Sequence, residues 1–79
     1  MEKLFTIELD QRHEILEIHL NKLGAEYLRN ILSQLVSANK EEHVHLMTFD
    51  FGGDELSMEQ QNLGSDVKLM NHLKIMYWN

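Results

Sequence analysis

The residues best suited to chemistry are concentrated in one run, His43 to Ser57, "HVHLMTFDFGGDELS". His43 and His45 stand two apart, so on a strand both rings leave the same face. Two imidazoles so placed could share a metal ion, with His72 or a carboxylate from Asp50 or Asp54 as a third ligand. The spacing fixes only two donors where a site needs three or four. The competing reading is a set of partly exposed histidines whose charge responds to pH. No cofactor is therefore expected, and His43, His45 and His72 are kept only as metal candidates. Gly52-Gly53 could admit a backbone conformation closed to other residues. As a phosphate cradle the pair fails, because no lysine follows and acids surround the place an anion would take. A tight turn is the simpler role. "GGDEL" is also the signature string of diguanylate cyclases, but those domains are much longer and need further metal-binding acids and a nucleotide pocket. Ser33, Ser37, Ser57 and Ser65 lack a nucleophile-elbow context. Asp54 and Glu55 are adjacent acids in an exposed stretch, with no pocket to shift their pKa values. No catalytic residue is expected, and the chain does not read as an enzyme.

Charge points elsewhere. The chain has 79 residues and a formal net charge of −6, a length that suits one domain. Glu41, Glu42, Asp50, Asp54, Glu55, Glu59 and Asp66 fall in a stretch with no lysine or arginine. An acidic field repels nucleic acid and draws basic partners. There is no cysteine, so neither a disulfide framework nor a thiolate metal site is available. No apolar run approaches the roughly 20 residues that span a bilayer, so no membrane partner is expected. The opening "MEKLFTIELD" places acids where a signal peptide has an apolar run. These features together predict a cytoplasmic protein.

The elements that must position these residues follow from periodicity. "LFTIELD" alternates, with Phe5, Ile7 and Leu9 on one face, and "EILEIHL" alternates again with Leu16, Ile18 and Leu20. The polar break between them, with a turn at Asp10 to Arg12, makes a β-hairpin. Asn21 is a good N-cap, and Leu23, Tyr27, Leu28, Ile31, Leu32, Leu35 and Val36 form the stripe of an amphipathic helix of about 16 residues. Gly24 weakens its first turn but could allow close approach to the sheet. Asn39 can end it in a left-handed conformation. "HVHLMT" reads as a third strand with Val44 and Leu46 inward. "DVKLMNHLKIMYW" reads as a fourth and longest one, with Val67, Leu69, Leu73, Ile75 and Tyr77 on one face and Asn71 interrupting it. The connection from Phe49 to Asp66 is long, and such loops are commonly functional. Ser57 with Gln60 fits a capping box, which predicts a short helical turn near Met58.

The expected fold is α+β: strand, strand, helix, strand, strand, forming a four-stranded antiparallel sheet with one helix packed on one face. The other face would carry Thr6, Glu8, Ile15, Glu17, His19, His43, His45, Met47, Met70, His72, Met76 and Trp78. Met and Trp on an open face suggest a contact surface, which makes a homodimer through that face one alternative.

Three pieces of the C-terminal half, "HVHLMT", "GGDELS" and "NHLKIMYW", together resemble the immunity protein 32 family of bacterial polymorphic toxin systems. The resemblance covers roughly residues 43 to 78 by motif and residues 1 to 40 by layout. The family pattern has proline after the threonine and tryptophan before the glycine pair, where this chain has Phe49 and Phe51. The resemblance implies a small protein that binds and neutralises a cognate toxin made by the same cell. A long acidic loop suits stoichiometric docking onto a basic toxin, such as a nuclease, with electrostatic steering of the encounter. Interface hot spots favour aromatics, so Phe49, Phe51 and Trp78 are the apolar candidates for partner binding. Asp50, Asp54, Glu55 and Glu59 are the charged ones. The alternatives are an acidic interaction or homodimerisation module of other purpose, and a small metal-binding protein using the histidines.

Overall fold

The computed structural model describes residues 1–79. The fold is α+β, with strands β1 (Phe5–Asp10) and β2 (Ile15–Leu20), helix α1 (Lys22–Ala38), and strands β3 (Glu42–Met47), β4 (Val67–Met70) and β5 (His72–Tyr77). The strands form two antiparallel sheets, one ordered β2-β1-β4 and one pairing β3 with β5.

The β1–β2 hairpin has the expected alternation, with Phe5 opposite Leu20, Ile7 opposite Ile18 and Leu9 opposite Leu16. Its turn occupies Gln11 to Glu14, slightly later than expected. The Asp10 carboxylate accepts from the His13 backbone N–H at 3.2 Å and faces His13 Nδ1 at 2.9 Å. Glu14 closes the turn with φ 55. The Asn21 side chain caps α1 by accepting from Gly24 N–H at 2.9 Å. The same oxygen accepts from Leu4 N–H at 2.9 Å, which ties the helix start to the segment before β1. Asn39 ends the helix at φ 48 and ψ 48, donating its N–H to the Leu35 carbonyl. Gly24 is buried, and a Cβ there would lie 1.9 Å from the Leu4 carbonyl oxygen. The close approach that glycine permits is therefore used.

Two expectations are corrected. The single long fourth strand is broken at Asn71, giving five strands in two sheets rather than four in one. The break also changes phase. Met70 lies opposite Ile7 and packs on the core, whereas after the break Leu73 and Ile75 do so, opposite Leu46 and Val44. An unbroken strand would turn Met70 and Leu73 to opposite faces. Thr48 holds the slip in place, donating its N–H to the Asn71 carbonyl at 3.0 Å and its hydroxyl to Asn71 Oδ1 at 2.7 Å. Leu69, expected on the inner face, lies opposite Glu8 instead.

The second correction concerns the open face. Thr6 and Glu8 are fully buried, so β1 is covered on both sides. The long loop does this: Gln61 and Asn62 donate their backbone N–H groups to the Glu8 carboxylate at 2.9 and 2.8 Å. Further back, Ser57 exchanges bonds with Phe5, N–H to carbonyl at 2.8 Å and Phe5 N–H to Ser57 Oγ at 2.9 Å. Ser57 is thus engaged with β1, and no helical turn forms near Met58. The core consists of Phe5, Ile7, Leu46 and the loop's Leu56, with Tyr27, Leu28 and Ile31 of α1 packed against it.

Candidate functional site

The loop that carries most of the candidate residues begins in a 3₁₀ turn, Phe49–Phe51. The Thr48 carbonyl organises it, accepting from Phe51 N–H at 3.0 Å and Gly53 N–H at 2.9 Å. Gly52 ends the turn at φ 88, the left-handed region that suits glycine. Gly53 lies so close beneath β3 that a Cβ would stand 2.6 Å from the Met47 carbonyl oxygen. The tight-turn reading of the glycine pair is therefore observed. The turn presents Phe49 outward at 80 % exposure and Phe51 at 56 %, with exposed Asp50 between them.

Behind the turn the chain is tied down. Glu55 accepts from Met47 N–H at 3.1 Å and from Asp54 N–H at 2.9 Å. Hydrogen bonds from Asp54, with a further one from Met47, outweigh its partial burial and hold its carboxyl below the usual glutamate range. Of the acids expected to meet a partner, Glu55 is thus the one engaged by its own loop. Lys3 donates its ammonium to the Glu55 carbonyl at 2.8 Å and sits 3.9 Å over the Tyr27 ring. Burial, then the negative charges of Glu55 and Asp54, push the Tyr27 hydroxyl upward.

A shallow groove of about 470 Å³ is lined by Phe49, Asp54, Leu56, Met58 and Glu59, together with Lys3. Its lining combines the apolar Phe49, Leu56 and Met58 with the acids Glu2, Asp54 and Glu59. Phe49, Asp54 and Glu59 are therefore brought together, with Asp50 and Phe51 on the adjoining turn. Trp78 is not among them. It follows β5, whose last residue Tyr77 pairs with Glu42 and donates its hydroxyl to Asn39. The length of β5 places it about 20 Å from the loop's first turn. It is nonetheless 70 % exposed.

The three histidines do converge on one face. His45 Nδ1 and His72 Nε2 are 2.7 Å apart, and the His43 ring lies edge-on to His45 with centroids 5.0 Å apart. Partial desolvation, then the charges of His72, His43 and Lys74, keep His45 below the usual imidazole value. They do not form a set of three donor atoms within 4.8 Å of one another; Glu8, Glu17 and His19 do. That second cluster went unnoticed in the sequence, although Glu8 lies opposite Glu17 in the hairpin and His19 shares Glu17's face. Its donors are already occupied. Glu8 accepts from Thr6, Gln61 and Asn62, while Glu17 accepts from Asn62 Nδ2 at 3.1 Å and faces His19 Nε2 at 2.8 Å. Burial raises the Glu8 carboxyl, but the bonds from Thr6, Gln61 and Asn62 and the nearby His19 more than reverse this, leaving it below the usual range. The arrangement is a latch for the loop. No helix is long and apolar enough to cross a membrane. Comparison with family models, curated proteins and solved structures gives no match to this chain.

Proposed function

We propose that the protein is an immunity protein that binds and neutralises a cognate, basic bacterial toxin by stoichiometric docking, without catalysis. The observation that carries the reading is the pair Phe49 and Phe51, held out at 80 % and 56 % exposure beside a groove lined in part by acids. Large apolar side chains left in water are costly unless a partner covers them. Burying each is worth about 1.5–3 kcal/mol. The groove's Asp54 and Glu59 and the turn's Asp50 would receive lysine or arginine side chains and steer the encounter. The motif resemblance of residues 43 to 78 points to the same activity. Cytoplasmic location, where the toxin is made, belongs to this proposal.

The test starts with the gene next to this one, which should encode a secreted protein ending in a toxin domain. Co-expression of the chain should rescue cells from that domain, and Phe49→Ala should weaken binding by about 2 kcal/mol, roughly 30-fold. The double change Asp54→Lys with Glu59→Lys should slow association and flatten its salt dependence. On-rates unchanged by the double change would remove the loop as the steering surface. No rescue, with only metabolic genes adjacent, would remove the toxin reading.

A further inference from the structure

We propose that β2 is a self-association edge, through which two copies of this chain pair antiparallel about a two-fold axis at Ile18. The proposal concerns a surface remote in sequence from the recognition loop and does not depend on the toxin reading. β2 is bonded to β1 on one side only and ends its sheet. Leu16, Ile18 and Leu20 share the face of Phe5, Ile7 and Leu9, against which α1 packs, yet they are 58, 51 and 38 % exposed. The helix covers β1 and leaves β2 overhanging. Where Leu20 meets the helix flank lies a mainly apolar groove of about 450 Å³, lined by Leu20, Leu28, Leu32 and Val36 with Arg29 and Ser33 among them.

Edge strands of monomers are defended by lysine, proline or bulges. "ILEIHL" has none of these, its one acid Glu17 being bonded to His19 and Asn62 of its own chain, and it pairs with β1 in unbroken register. The chain also exposes too much surface. Its accessible area is 5538 Å² for 9.3 kDa, against about 5,000 Å² for a folded monomer of that mass. The excess, about 500 Å², is what one partner of a small interface covers, below the roughly 800 Å² of a standard one.

The sequence of β2 suits its own copy. A two-fold axis normal to the sheet keeps both apolar faces on one side and requires a residue to face itself. With Ile18 on the axis, Leu16 of one copy meets Leu20 of the other at the mouth of the groove, and Glu17 meets His19. Slipping by two residues one way sets Glu17 against Glu17, and like charges directly opposite are destabilising; slipping the other way moves Glu17 off His19 and opposite Asn21. The register at Ile18 is therefore the one in which charge and apolar pairing agree.

Sedimentation velocity on the full chain across a concentration series tests this. The expected species is a dimer of about 19 kDa, twice the 9.3 kDa chain. Ile18→Lys should raise the dimer dissociation constant at least about 30-fold, the loss of one hot spot, with an unchanged circular dichroism spectrum. Leu16→Lys, at a more exposed site, serves if the first variant unfolds. Because the chain has no cysteine of its own, Ile18→Cys should cross-link to its copy across the axis under mild oxidation, whereas Leu16→Cys should not. A chain that stays at 9.3 kDa to millimolar concentration, or a dimer indifferent to both lysine variants, would overturn the interface. A dimer that cross-links through Leu16→Cys and not through Ile18→Cys would overturn the register.

Discussion

Glu8→Gln should release the long loop between β3 and β4 while leaving the sheet and helix in place. The Glu8 side chain is fully buried, and its two oxygens accept from Thr6 Oγ1, Gln61 N–H and Asn62 N–H. Glutamine replaces one acceptor oxygen with an amide that can only donate. Thr6 can turn its hydroxyl to adapt, but a backbone N–H cannot, so either Gln61 or Asn62 is left facing a donor. An unsatisfied buried group costs about 1–3 kcal/mol, and the remaining bond loses its charge assistance. The combined loss is about 2–4 kcal/mol, against a total of about 4–12 kcal/mol for a domain of this size. Urea denaturation at neutral pH would measure it, and amide exchange at Gln61 and Asn62 would localise it. The sign with pH follows from the depressed Glu8 carboxyl. Its contribution is complete above the ordinary glutamate value of 4.5 and is lost as pH falls through the lower folded value. The gap between wild type and variant should therefore narrow in acid. A variant within about 0.5 kcal/mol of wild type, with both amides still protected, would refute the latch.

Gly24→Ala should destabilise the chain although alanine gains about 1 kcal/mol in helix propensity. The new Cβ would stand 1.9 Å from the Leu4 carbonyl oxygen, a backbone atom that accepts from the Asn21 N–H at 3.2 Å. A net loss of at least about 2 kcal/mol is expected, read as a fall of roughly 8 °C or more in the melting temperature. The His45 ring should titrate below 6.5 in the folded chain, because desolvation and then the neighbouring His72, His43 and Lys74 disfavour its charge. A depressed imidazole stabilises the fold in its neutral form, so stability should fall as pH drops below 6.5. NMR titration reads the ring directly, and His72→Asn should move its midpoint upward.

What was legible in the sequence was local. Asn21, Asn39 and Gly24 act within a few residues of where they sit, and each plays the part its type suggests. The two faces of the hairpin followed from alternation alone, while its turn fell later than expected, at Gln11 to Glu14. The broken strand was not legible for a specific reason. Val67, Leu69, Leu73 and Ile75 alternate in one continuous phase, and Leu69 and Met70 are both apolar, so periodicity cannot choose between them. Tertiary contact with Ile7 selects Met70, and Asn71 absorbs the slip. Burial of Glu8 was hidden because its covering groups, Gln61 and Asn62, lie far along the chain. The same holds for Lys3, whose hold on the loop at Glu55 is another pairing of distant residues. The exposed phenylalanines were legible from loop composition, but their grouping with Asp54 and Glu59, and the separation of Trp78, required the fold.

The distribution of anchors along the loop bears on how it could bind. From Glu55 to Asn62 nearly every polar group is engaged: Glu55 with Met47, Ser57 with Phe5 and Lys3, and both Gln61 and Asn62 with Glu8. From Phe49 to Phe51 the backbone is fixed by Thr48 while the side chains project freely. Binding by a flexible segment incurs the cost of ordering it, and a segment already held in shape avoids most of that cost. Gly52 and Gly53 make the division possible. One takes the left-handed turn that reverses the chain, and the other brings it against the Met47 carbonyl. A side chain at Gly53 would lift the anchored half away from β3 and weaken the latch at its origin, so the glycine pair sets the shape of the loop through backbone geometry.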